Sequence, residues 1–265
     1  MKNFKIKLKK ESKAFDIIAN KKKRINFDPD LKTTKIYSKF YNNPWRYPLT
    51  RELSIKRKID FVLQYCKENQ KVVDVGCGLG TLAFELARKK IKVDAIDISK
   101  NSLNYARKVA KKSLTKKQFD LIDFKELEIN HYLKNTKDES LDRFIFFRTL
   151  HHLPNPYNLF KKIKKKLKKN GVVIIEVPHA KDFLIETLNL KSFKNFTFWS
   201  EHLILHTYKS LKSILLKSGF KNINIQYYQR YNFSNHLGWF LKRKPGGHNF
   251  YKEIASDKLN LSYCE

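Results

Sequence analysis

The residues best placed to do chemistry are Asp74, Gly76, Gly78 and Gly80, within Val72-Val73-Asp74-Val75-Gly76-Cys77-Gly78-Leu79-Gly80-Thr81. Glycines at alternate positions let a loop approach a ligand with no side chain in the way. The apolar run before the loop reads as a buried strand and the run after it as a helix. That places the loop at the carboxyl end of a strand, where open parallel sheets bind ligands. Spacing narrows the ligand class. A dinucleotide fingerprint, G-x-G-x-x-G, needs glycine at position 81, which is Thr81, and no G-K-[ST] follows for a phosphate loop. A second acid, Asp97, ends the next apolar run 21 residues after Gly76. Further on stand two groups able to move protons, His151-His152 and Glu201-His202. The three cysteines, Cys66, Cys77 and Cys264, have unrelated spacings. They exclude a disulfide framework, a four-cysteine zinc site and a cysteine-ligated iron–sulfur cluster built by this chain alone, and no ligand cluster demands a metal. Cys77 reads as a small filler of the loop rather than a nucleophile.

These groups must be held by an alternation of strands and helices. The pattern predicts strands over 71–75, 92–96, 118–122, 143–147 and 172–177. Between them lie a helix over 82–89, a helix capped by Ser99 and running to about Lys111, and a helix carrying the stripe Leu159, Phe160, Ile163 and Leu167 that ends at Asn170-Gly171. Near-continuous apolar strands separated by helices mean a parallel sheet covered on both faces. A later helix is capped by Thr207 and ends at Gly219, and Ile223, Ile225 and Tyr227 alternate with polar residues as in a half-exposed strand. Residues 1–50 form a basic and aromatic arm, 51–230 the ligand-binding domain with an insertion over 179–206, and 231–265 an aromatic, basic closing segment.

The chain has 265 residues, 42% hydrophobic and 14% aromatic, enough for one sizeable core. Its formal net charge is +31, from 56 Lys+Arg against 25 Asp+Glu. Of the 56 cations 46 are Lys and only 10 Arg, the residue preferred for bidentate phosphate and base recognition. Lys and Asn have AT-rich codons, so much of the charge reads as genome composition. The expected partner is a small molecule, with an anionic one suited to the charge, and no specific nucleic acid. The lysine-rich stretch 161–169 reads as a solvated helix face. No run reaches 18 apolar residues and the amino terminus lacks the apolar core of a signal peptide, so a cytoplasmic protein without a membrane span is expected.

Asp74-x-Gly76-x-Gly78-x-Gly80, followed in register by Asp97, resembles motif I and its partner acid in the class I S-adenosylmethionine-dependent methyltransferases. Ile122-Asp123-Phe124, Leu150-His151-His152-Leu153-Pro154 and the Lys168-Lys169-Asn170-Gly171 turn fit the same family, over about residues 70–230. The resemblance is closest to small-molecule and sugar methyltransferases. It implies a doubly wound, mostly parallel seven-strand sheet with helices on both faces, capped by the aromatic arm and tail.

The resemblance also implies roles. Gly76, Gly78 and Gly80 would pass under the methionine part of S-adenosyl-L-methionine, Asp74 would orient that loop or meet the amino group, and Asp97 would accept both ribose hydroxyls. Asp123 and Phe124 would read the adenine. Methyl transfer from a sulfonium is an in-line displacement, and a hydroxyl or carbon acceptor gains from a general base. His202 with Glu201 fits that role, and His151 is its rival. His152, His236 and Trp239 are expected to contact the acceptor, Trp239 by stacking on a ring. The Glu-His pair is similar to one in sugar C-methyltransferases, whose amino-terminal zinc module this chain lacks. A sugar or nucleotide-sugar of surface polysaccharide synthesis is the expected acceptor, with RNA as the alternative suggested by the basic surface.

Overall fold

Five apolar runs pair side by side into one parallel sheet. The computed structural model describes residues 50–197, 202–228, 233–245 and 247. In chain order the first part contains α1 (Thr50–Leu63), β1 (Lys71–Val75), α2 (Thr81–Arg88), β2 (Lys92–Asp97), α3 (Lys100–Ser113), the short α4 (Lys116–Phe119), β3 (Ile122–Glu126), α5 (Ile129–Lys134), β4 (Leu141–Phe147), a 3₁₀ turn (Leu150–His152), α6 (Pro156–Lys166) and β5 (Leu167–Glu176). The strand order is β3-β2-β1-β4-β5. Succession therefore reverses beside β1, with β2 and β3 on one side and β4 and β5 on the other. Such a switch point opens a crevice outside the carboxyl ends of the central strands.

Burial explains why these runs become strands. Val72, Val73, Ala95, Phe144, Ile145 and Phe146 are fully enclosed, as a sheet covered on both faces requires. Each large side chain of this kind stabilises by about 1.5–3 kcal/mol. α2 and α3 pack on β2 and β3, and α6 packs on β5 through Leu159, Phe160 and Ile163. Two acids, Asp74 of β1 and Asp94 of β2, are buried inside this apolar layer. Asp94 of β2 accepts from Tyr132 Oη (2.5 Å) and Lys125 Nζ (2.8 Å), with Lys71 Nζ at 3.3 Å. Burial would raise its pKa, but these bonds prevail and hold it below the ordinary carboxylate range.

Four expectations need correction. The sheet has five strands among the described residues, not seven. Ile223 and Ile225 are half-buried as the predicted alternation requires, but Tyr227 is exposed and residues 222–228 form no ladder. The third strand is shifted: Thr115 and Gln118 exchange side-chain-to-backbone bonds in a capping box that turns 116–119 into a helical turn and delays β3 to Ile122. The predicted stripe residue Leu167 leaves the helix to open β5, opposite Leu141.

The described residues fall into two compact units. One is the sheet with residues 214–221, where Ser218 Oγ donates to the Tyr157 carbonyl (3.3 Å) and the Phe220 ring meets Phe160 edge-on. The other comprises 178–213 and the described residues from 222 on, with α7 (Phe183–Glu186), α8 (Lys191–Thr197), most of α9's first turns (α9, Tyr208–Lys217) and α10 (Phe233–Lys242). Its own core is Leu184, Ile185, Leu190, Phe193 and Trp239. No helix among the described residues is long and apolar enough to cross a membrane.

Candidate cofactor and active site

The glycine loop leaves β1 by a tight turn. Gly76 and Cys77 both donate their N–H to the Ile96 carbonyl of β2 (2.8 and 3.1 Å), and Gly80 donates to Cys77 (3.0 Å) before starting α2. Gly76, Gly78 and Gly80 have φ of 71°, 54° and 77°, in the left-handed region. Gly76 has a second reason to lack a side chain. A Cβ there would lie 2.4 Å from Thr149 Oγ1. That hydroxyl donates to the Val75 carbonyl (2.8 Å), tying the end of β4 to the end of β1. No local pattern marks Thr149, because its partner is 74 residues away. Its neighbour Arg148 holds φ 56°, a left-handed non-glycine residue at the carboxyl end of β4. Strain of this kind concentrates at functional sites.

Asp97 closes the loop from the other side. One carboxylate oxygen accepts the Gly78 N–H (2.8 Å) and the other the Ser99 N–H (2.8 Å). A carboxylate offers about four lone-pair positions, so acceptor capacity remains. Burial raises the Asp97 pKa, and the backbone N–H groups oppose that rise. Asp74, the penultimate residue of β1, makes no side-chain hydrogen bond or ion pair among the described residues. Burial first, and Asp97 second, push its carboxyl up to about 7. Cys77 is held as a thiol, its pKa driven well up by burial, consistent with a filler.

The shift of β3 moves its end residues. Asp97 is in register with Glu126, so Glu126 and Leu127 occupy the carboxyl edge, and Leu127 donates its N–H to the Asp97 carbonyl (3.1 Å). Asp123 is instead opposite Asp94 in mid-sheet, exposed and paired with Lys125 (3.0 Å). Phe124 is core: 8% exposed, edge-on to Phe84, with the Arg107 guanidinium over its ring. At the edge of β5, also unforeseen, Glu176 pairs with Lys58 of α1 (2.8 Å).

His151 is buried in the 3₁₀ turn after β4, its ring centroid 4.0 Å from that of half-buried His152. In the other unit, His202 Nδ1 lies 2.7 Å from the Thr197 carbonyl. Glu201 lies outside the described residues. His236 is 7% exposed on α10. Trp239 is not a surface stacking platform: it is 3% exposed, with Phe193 and Phe196 each 5.0 Å away between ring centroids. The cause is close packing of the tail, since a Cβ on Gly238 would lie 2.6 Å from Gly247 Cα.

Residues 66–232, more than half of the chain, match the family described as a methyltransferase domain. The chain belongs to that family. The ubiquinone biosynthesis O-methyltransferase of Pasteurella multocida is 34% identical over 112 residues, 39% of this chain and 44% of that protein. The chain spans about half the length of the curated relatives it matches. A S-adenosylmethionine-dependent methyltransferase of Archaeoglobus fulgidus superposes with a TM-score of 0.57 at 22% identity, covering 73% of this chain and 78% of that one. Phosphoethanolamine N-methyltransferase 2 of Haemonchus contortus, solved with S-adenosyl-L-methionine, gives 0.55 at 19% identity, covering 78% and 44%. At these identities the two structures establish the fold, that of the class I S-adenosylmethionine-dependent methyltransferases.

The residues of this methyltransferase fit S-adenosylmethionine. The cofactor is a cation with a diol. Asp97 keeps acceptor positions for hydroxyl donors, and Asp74 is a buried acid whose ionisation a nearby positive charge would favour. Gly76 is exposed, so the loop presents bare backbone to a ligand.

Proposed function

We propose that this methyltransferase moves a methyl group from S-adenosylmethionine to an oxygen of a small-molecule acceptor. The observation that carries the reading is the left-handed glycine loop stapled to Asp97 through the Gly78 N–H. The oxygen acceptor is supported by the relatives, which are named as ubiquinone biosynthesis O-methyltransferases. When bound, S-adenosylmethionine supplies a methyl already activated on a sulfonium, so the protein's task is mainly positioning. In our reading Gly76, Gly78 and Gly80 give the loop its close approach, Asp97 accepts the ribose hydroxyls, and Asp74 balances positive charge. Leu127 and Glu126, at the edge of β3, replace Asp123 and Phe124 as the adenine contacts.

For a hydroxyl acceptor we propose His202 as the base, with Glu201 as its helper and His151 as the rival. A carbonyl can only accept, so the contact with Thr197 puts the His202 proton on Nδ1. When the ring is neutral its lone pair is then on Nε2, the form a base needs. His152 and His236 stay our proposal for acceptor contacts, and residues 179–206 and 231–265 for the segments that select the acceptor.

The test is calorimetry with S-adenosylmethionine and its demethylated product, followed by methyl transfer to phenolic, sugar, nucleotide-sugar and RNA acceptors. Asp97→Ala removes charge-assisted hydrogen bonds worth about 1.5–3 kcal/mol, or roughly ten- to a hundred-fold in affinity. Unchanged affinity in that variant would remove the assignment. Turnover on RNA alone would overturn the small-molecule acceptor.

A further inference from the structure

The sheet has a second concave site, at the edge opposite the glycine loop. Leu141 of β4 pairs with Leu167, but Arg143, two residues on, pairs with Val172, five residues on. Four residues of β5, Lys168-Lys169-Asn170-Gly171, therefore stand against the single residue Asp142 of β4, and this surplus of three makes the strand bulge. Together with Lys67 and Gln70 before β1, and Asp142 and Arg143 at the start of β4, this bulge walls a cavity of about 410 Å³.

The charge in it is uncompensated. Lys67, Arg143, Lys168 and Lys169 face one carboxylate, Asp142, a balance of four against one. That carboxylate is already engaged by the Lys71 N–H (2.9 Å) and by Lys168 Nζ (2.9 and 3.0 Å). Lys67, Arg143 and Lys169 form no ion pair among the described residues. Arg143 is also preorganised. Its Nε donates to the Tyr65 carbonyl (2.5 Å) and its Nη1 to the carbonyls of Asp142 (2.7 Å) and Asn170 (3.4 Å). Three neutral acceptors thus fix the guanidinium while leaving its charge unbalanced and its Nη2 without a protein acceptor among the described residues. A fixed guanidinium fork beside lysine ammoniums is the donor set that recognises phosphate oxygens. This differs from the lysines of α6's outer face, such as Lys161 and Lys165, which are exposed and do not line this cavity.

We propose that this cavity binds a compact polyphosphate anion, of diphosphate to triphosphate size, at a site separate from the cofactor loop. Its volume lies within the range of small-ligand pockets, roughly 300–1,000 Å³. The probe is inorganic tripolyphosphate, titrated by calorimetry into the full chain at fixed ionic strength. We expect one site per chain. Lys67→Ala with Lys169→Ala should weaken it about ten-fold or more, both side chains being exposed and outside the core. Lys161→Ala with Lys165→Ala, which removes the same charge, should change it by less than about two-fold. Adenosine triphosphate as a second arm separates free polyphosphate from a nucleotide as the source. Equal losses in the two double variants, stoichiometry well above one, equal binding of sulfate, or no heat at millimolar probe would each overturn the site.

Discussion

Asp74 offers the sharpest test of the site, because its ionisation is set by burial and by Asp97 alone. In the folded protein its pKa stands at about 7, against 3.8 for the ordinary side chain. That gap corresponds to about 4 kcal/mol at about 1.4 kcal/mol per tenfold change in proton affinity. The folded-state pKa is raised, so the folded chain holds a proton that the unfolded chain has released. The associated stability is fully present below pH 3.8, is lost as pH rises toward 7, and stays lost above it. Asp74→Asn keeps the shape and cannot ionise. By urea denaturation the variant should exceed the natural protein in stability by up to about 4 kcal/mol at pH 8, with the difference shrinking to nothing near pH 4. Cofactor binding should move the opposite way. A cationic ligand favours the ionised acid, so S-adenosylmethionine affinity in the natural protein should rise as pH rises toward 7, by at most tenfold per pH unit, with proton uptake by the buffer. In Asp74→Asn that slope should vanish and the affinity at pH 8 should fall. A variant less stable than the natural protein at pH 8, together with an unchanged pH slope for the cofactor, would refute the reasoning about a buried, proton-holding acid.

Three further outcomes are expected. His206 is 2% exposed, neither ring nitrogen has a hydrogen-bond partner among the described residues, and burial lowers its pKa to about 4 from 6.5. The stability it contributes is present above pH 6.5 and lost as pH falls toward 4, so His206→Gln should flatten the acid limb of a denaturation profile by about 3 kcal/mol. Gly247→Ala would place a Cβ 1.8 Å from the Ser234 carbonyl oxygen, a backbone atom with little room to yield. It should destabilise by about 1–3 kcal/mol, read as a lower thermal midpoint and a more protease-sensitive α10. Loss of a positioned base costs about 10²–10⁴-fold in rate. His202→Ala should lower turnover by that factor at near-normal cofactor affinity, and a loss confined to His151→Ala would transfer the role.

Local signals carried the reading of the fold wherever chemistry and neighbours in sequence agree. β1, β2 and β4 were legible because their apolar runs are nearly unbroken and end in glycine, aspartate or the 3₁₀ turn. Ser99 was legible as a cap because its hydroxyl accepts from Ser102, three residues on. The third strand begins later than the apolar run over 118–122 suggests, and the cause is also local: Thr115-x-x-Gln118 is a capping box that turns 116–119 into a helical turn. That single displacement carried Asp123 and Phe124 away from the edge and put Glu126 and Leu127 there.

The remaining differences depend on contacts that spacing cannot report. A tryptophan in an aromatic tail is equally suited to a sugar-stacking surface and to a small core. For Trp239 the approach of Gly238 to Gly247, and the ring contacts with Phe193 and Phe196, decide for the core. Alternation at Ile223 and Ile225 permits a strand, but a strand exists only with a partner, and residues 222–228 have no ladder. The glycine loop shows the same division within one motif. Its left-handed turns follow from glycine itself, whereas the Thr149 hydroxyl that forbids a side chain on Gly76 comes from β4. Replacement of Gly76 therefore damages two things at once, the approach of a ligand and the tie between β1 and β4. Thr149→Ala, which keeps the glycine and removes only the tie, is the substitution that separates them.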